Sequence, residues 1–192
     1  MGLTSESRRQ QILEAVVDYI LEHGVGQLSL RPLAAACGTS ARLLIYHFGS
    51  KEGVLAAAMG LLRDRLSAAV GSVQRTRPSP RALLLDMWRL ALRDKSRHAI
   101  ALLFEVLTLA MRDPAPYHEY VEASRRTWRT LIEGVLPRTL PTARRGQLST
   151  CAIAALDGLL LDLLVTGDVR RTSAAMDLFA REFDRLSREA RP

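Results

Sequence analysis

Between residues 31 and 51 the chain gathers side chains suited to one kind of chemistry: Arg31, Thr39, Ser40, Arg42, Tyr46, His47 and Lys51. An arginine fork can pair with O6 and N7 of guanine, and hydroxyls or free N–H groups at a helix start can hold a phosphate. Catalytic alternatives are poorly served. Histidines 23, 47, 98 and 118 all lack an acid three residues earlier, which a di-metal helical bundle would require. Asp157 and Asp162 are five apart and do not share a helical face. No nucleophile motif, phosphate loop or dinucleotide fingerprint appears, so the residues predict neither an enzyme nor a cofactor or metal site. Cys37 and Cys151 are far apart and without metal-type spacing, and read as small buried apolar residues.

The basic cluster must be positioned by helices. Ile12, Val16, Tyr19, Ile20 and His23 recur at three to four residues and mark one face of a helix over 6–23, ended by Gly24 and Gly26. Ser29 and Pro32 open a short second helix, Gly38 supplies its tight exit, and Thr39 or Ser40 caps a third over 41–48. Gly49 ends that helix and Ser50 caps a long fourth over 51–74. Pro78-Ser79-Pro80 reads as a linker. Further helices are predicted over 81–95, 97–112, 117–135, 143–165 and 173–189, with breaks at Asp113–Pro116, Pro137 to Pro141 and Thr166–Asp168. There is no period-two apolar strand. The expected fold is all-α, with about nine helices: a three-helix head over residues 1–50 and a helical body over 51–192.

Two short helices joined by a turn around a glycine form a helix-turn-helix. Ala34 is small where the helices approach, while Leu33, Cys37 and Leu44 are expected to face inward and hold their angle. The N-terminal half of the second helix is then presented to a major groove. Phe48 is expected in the core. Arg31 and Arg42 have a plain surface reading beside the functional one, and His47 reads equally well as a packed residue closing the head.

Residues 37–52 run Cys-Gly-Thr-Ser, Ala-Arg-Leu, Leu, Ile-Tyr-His-Phe and Gly-Ser-Lys-Glu. This resembles the TetR family of bacterial regulators, whose pattern is Ala-Gly-Val-Ser, three variable positions, Leu, then Tyr-x-His-Phe, a short turn and Lys-Glu. The likeness is specific to about the first 55 residues; beyond them only helix layout and length correspond. It implies a DNA face made of Arg31, Thr39, Ser40, Ala41, Arg42, Ile45, Tyr46, His47 and Lys51, with Arg42 reading a base and Lys51 holding a phosphate. Ile45 departs from the pattern, since a phosphate-contacting Tyr usually stands there. That contact either moves to Tyr46 or is lost, and Ile45 can instead touch a thymine methyl.

The formal net charge of +7 suits a nucleic-acid partner without locating it. Arginines 8, 9, 31 and 42 are balanced by Glu6, Glu14, Asp18 and Glu22, and the excess lies further along, for example at Arg125, Arg126, Arg129, Arg138, Arg144 and Arg145. The first residues lack the apolar core of a signal peptide, and no run of 18 apolar residues is free of charge. A cytoplasmic protein without a membrane span is therefore expected.

For the body, the resemblance implies a ligand cavity among the middle helices and a homodimer interface on the last two. Residues 151–165 are apolar on nearly all sides, and a helix of that kind must be covered all round. The interface candidates are Ile153, Leu156, Asp157, Leu160, Leu164, Leu178, Phe179 and Phe183. The pocket candidates are Met87, Trp88, Phe104, Glu105, Leu107, Met111 and Trp128, with Tyr117 and Tyr120 nearby in sequence. Glu105, in an otherwise apolar run, is expected to pair with Arg97 or Arg129 rather than greet a ligand. The resemblance implies a ligand-responsive regulator, most often a repressor, that binds double-stranded palindromic DNA as a dimer and responds to a small-molecule effector. A helical interaction module that has kept the fold without DNA binding is the alternative, since the head is neutral and Ile45 departs from the pattern.

Overall fold

The computed structural model describes residues 5–26, 28–73 and 79–189. The opening residues read for a signal peptide, residue 74 of the expected fourth helix and Pro78 of the expected linker lie outside them. Among the described residues there are nine α-helices and no strand. They are α1 (Ser5–His23), α2 (Leu30–Ala36), α3 (Ala41–Phe48), α4 (Lys51–Val73), α5 (Pro80–Ala91), α6 (Asp94–Arg112), α7 (His118–Val135), α8 (Thr142–Thr166) and α9 (Val169–Arg188), with a 3₁₀ turn at Ala115–Tyr117 before α7.

Local chemistry sets most of the boundaries. Gly24, Gly38, Gly49 and Gly167 all have positive φ, and each closes a helix or turn that an L side chain would strain. Ser40, Ser50 and Ser79 accept from backbone N–H groups three residues on, at 3.2, 3.0 and 3.1 Å. Ser29 sits at the start of α2 with extended backbone, but its hydroxyl makes no capping bond.

Two expected boundaries move. The break between the middle helices falls at residues 92–93 rather than at 96. Asp94 supplies the negative charge that favours a helix start, and Ser96 is buried inside α6. The last helix begins at Val169 rather than 173, because the Asp168 carboxylate accepts from the Arg171 N–H at 3.0 Å.

The chain divides into two compact units, and their boundaries fall inside α4, α6 and α7. One comprises the N-terminal segment through Arg65 together with Leu102–Ser124. Its buried side chains include Ile12, Val16, Val17, Ile20, Leu33, Leu44, Val54 and Val106. The other comprises Leu66–Ala101 and the segment from Arg125 onward. There α9 packs against α5 and α8 around Leu83, Leu84, Trp88, Ile132, Met176, Ala180 and Phe183. The Trp88 indole N–H donates to Ser173 Oγ at 2.9 Å, so its one polar atom is satisfied inside that core.

α8 is long and apolar enough, by length and composition, to cross a membrane, although charge spacing along the sequence argued against any such helix. Core helices pass the same test, and Leu148, Ala152, Ile153, Leu156 and Leu163 are buried within the second unit. Neither cysteine is buried as expected: Cys37 is half-buried and Cys151 is exposed on α8.

Candidate nucleic-acid interface

α2 and α3 pack on each other through Leu33, Ala34 and Leu44, with Leu33 and Leu44 fully enclosed. Burying Leu44 turns the opposite side of α3 outward. Arg42, Ile45 and Tyr46 are exposed there, Tyr46 to 76%, which is unusual for a phenol with no structural task. Arg31 and Lys51 are exposed as well, while Ala41 and His47 are half-buried. The His47 ring lies edge-on between Tyr46 and Phe48, with centroids at 5.1 and 6.2 Å.

The hydroxyls at the start of α3 behave differently from each other. Ser40 Oγ is engaged as the cap. Thr39 Oγ1 is enclosed and has no hydrogen-bond partner among the described residues. Phe48, expected in the core, is half-buried: its ring is covered by the Arg9 guanidinium, 4.9 Å from the centroid. Arg8 Nη2 donates to the Gly38 carbonyl at 3.3 Å. Glu14 forms an ion pair with Arg65 on α4.

Sequence reasoning passed over Arg8 and Arg9, whose contacts cross 30 to 40 residues of chain. It also passed over Gly53, where an added Cβ would lie 2.0 Å from the Phe48 carbonyl oxygen. The end of α3 and the start of α4 thus approach more closely than any side chain allows.

Residues 12–58 match the family described as bacterial regulatory proteins, tetR family, so the match runs from within α1 through the helix-turn-helix to the start of α4. Those residues form the DNA-binding helix-turn-helix domain of the TetR family of transcriptional regulators. Like its relatives this regulator is a transcription factor and not an enzyme. It is 27% identical over 184 residues to the HTH-type transcriptional regulator BetI of Burkholderia mallei, covering 94% of each chain. Among solved structures, a transcriptional regulator from Rhodococcus sp. Rha1 superposes with a TM-score of 0.74 at 21% identity, covering 91% of this chain and 95% of the other. The multidrug binding protein EbrR, complexed with imidazole, superposes with a TM-score of 0.71 at 22% identity, covering 91% and 88%. These two likenesses establish the all-α fold.

The expected pocket residues of this regulator are shared between the two units. Trp88 is buried and Met87 and Trp128 are half-buried against the core of the second unit. Phe104 and Leu107 are half-buried on α6 in the first unit, where Met111 is 77% exposed. Glu105 pairs with neither arginine named for it. Arg129 is engaged by Glu133, and Glu105 has no ion pair among the described residues.

The expected interface residues divide as well. Ile153, Leu156 and Phe183 are already enclosed by their own chain, and Asp157 is held by Arg125 at 2.7 Å. Leu160, Leu164 and Phe179 are half-buried and Leu178 is 56% exposed. The open side of α8 is made instead by Cys151, Ala154, Gly158, Leu161 and Val165, a stripe at spacings of three and four that none of the expected residues belonged to.

Proposed function

We propose that this chain is a ligand-responsive repressor that acts as a homodimer on a palindromic double-stranded operator in the cytoplasm. Residues 1–50 carry the DNA-binding role, and 51–192 carry the effector-binding and dimerisation roles. The observation that supports the reading best is the sidedness of α3. Leu44 is wholly enclosed while Arg42, Ile45 and Tyr46 stand free on the other side, as a helix entering a major groove requires. Arg42 is assigned to a base edge. Arg31, Ser40, Tyr46 and Lys51 are assigned to phosphates, Ile45 to a thymine methyl, and Ala41, Thr39 and His47 to close approach of the backbone.

The homodimer is supported by the apolar stripe of α8 together with exposed Leu178 on α9, since an apolar face of that length calls for a cover. The effector role is supported by the likeness to EbrR, whose structure holds a small molecule. An effector that binds the DNA-free arrangement of the two heads more tightly would release the operator.

The test is selection of bound sequences from a random DNA pool by the purified protein, followed by a salt titration on the winner. A palindromic consensus whose affinity falls steeply with salt is expected. Failure of a folded, dimeric protein to enrich any sequence would overturn the reading in favour of an interaction module.

A further inference from the structure

We propose that a cleft within the DNA-binding unit is a binding site for a small protonated amine with a short apolar body. The cleft encloses about 360 Å³ and is floored by Val25, Leu55 and Leu109. That is the lower end of the range for small-molecule sites, and its makeup is the usual one of apolar walls with a few convergent polar groups.

Those polar groups are unspent. Tyr117 is only 4% exposed, lines the cleft, and its hydroxyl has no hydrogen-bond partner among the described residues. That hydroxyl is not sealed from solvent, so a ligand seated in the cleft can bond it. Glu52, in the first turn of α4, and Glu105, on α6, line the same cleft, and neither forms an ion pair with any described residue. Burial, and behind it Glu52 and Asp113, push the Tyr117 phenol upward in pKa, so at neutral pH it keeps its proton. Its lone pairs then accept from a ligand. The Thr108 hydroxyl, also at the cleft, already donates to the Phe104 carbonyl at 2.9 Å and is left with acceptor capacity.

Two carboxylates against one ammonium, that of Lys51, leave the lining with a net negative charge. Its unused atoms are mostly acceptors. A protonated primary amine supplies both missing properties, a positive charge and several N–H donors. The proposal deepens the ligand-responsive reading above and rests on it only for its regulatory consequence. The cleft shares the first turn of α4 with Lys51, so an occupant sits beside a proposed phosphate contact.

The test is calorimetric titration of the full chain, without DNA, with 2-phenylethylamine and with its uncharged analogue 2-phenylethanol at neutral pH. The amine is expected to bind at least about tenfold more tightly than the alcohol, as charge-assisted hydrogen bonds imply. Glu105→Gln, at an exposed position, and Tyr117→Phe, which keeps the ring, are each expected to weaken the amine by about fivefold or more, and Trp128→Phe in the other unit to leave it unchanged. Equal binding of amine and alcohol, absence of amine binding, or loss with Trp128→Phe but not with Glu105→Gln would each overturn the site. Operator release by another effector without amine binding would sink this inference and leave the repressor reading standing. Amine binding by a protein that enriches no DNA would do the reverse.

Discussion

Arg8 Nη2 and the Gly38 carbonyl meet at 3.3 Å, which ties the start of α1 to the turn that launches the recognition helix. One residue later Arg9 lies over Phe48 at the far end of the same helix. Adjacent arginines on α1 therefore hold both ends of α3. Because the first contact is exposed and the second is half-buried, Arg8→Ala and Arg9→Ala are expected to cost little stability, about 0.5–1 kcal/mol for the cation–π contact. Operator affinity should fall further than stability does. Urea unfolding beside fluorescence anisotropy on operator DNA separates the two.

The junction after α3 makes a sharper forecast. Gly53→Ala brings a methyl against the Phe48 carbonyl and should cost about 1–3 kcal/mol, the usual penalty for overpacking. Gly60, in the same helix, has open space where its Cβ would be, so Gly60→Ala should stabilise by roughly 0.5–1 kcal/mol. Opposite signs in thermal unfolding are the expected outcome, and equal signs would remove the close approach from the account.

Arg42→Ala and Lys51→Ala should injure DNA binding in different ways. Loss of a bidentate base contact costs about 1–3 kcal/mol and relaxes preference at one operator position. Loss of a phosphate contact weakens all sequences alike and lowers the salt slope by about one. Binding across a small operator library at several salt concentrations distinguishes them. An unchanged preference in Arg42→Ala would end its assignment to a base.

On the open stripe of α8, Leu161→Glu should yield a folded monomer near 21.3 kDa by sedimentation. Cys151 lies on the same stripe, so a thiol reagent should label it faster in that variant than in the parent. Phe183→Ala acts on the interior instead and should cost about 3–5 kcal/mol whatever the oligomeric state.

Arg171 grips Asp162 with two bonds of 2.7 Å, and its hydrogen bonding holds that carboxylate below the ordinary range. Arg81 does the same to Asp177. A carboxylate lowered in the folded state contributes stability that is complete above its unfolded pKa and disappears as pH falls through the folded one. Asp162→Asn and Asp177→Asn should therefore be less stable than the parent at neutral pH, and the gap should close in strong acid. Denaturant midpoints across that range check the sign.

Much of this was readable in advance because local rules carry it. The turn at Gly38, the stop at Gly49 and the caps at Ser40 and Ser50 depend on residues within three positions of one another. So does the exposure of Arg42 once Leu44 is committed to the core. What could not be read depends on contacts between residues remote in the chain. Phe48 left the interior because Arg9 came to cover it. Nothing local to Glu105 names a partner for it, and Arg129 is taken by a glutamate one turn away. The open stripe of α8 was invisible because both sides of that helix are apolar, and only packing on α9 shows which side the chain itself consumes.

The boundary between the compact units cuts through α4, α6 and α7, never through a loop. Grafting is thereby constrained. A chimaera that splices residues 1–50 of this chain onto a relative would leave behind Leu102–Ser124, which belongs to the same unit and supplies Val106, Tyr117 and Tyr120 to its buried interior. Specificity in such a protein is portable only as two separate stretches of sequence, exchanged together.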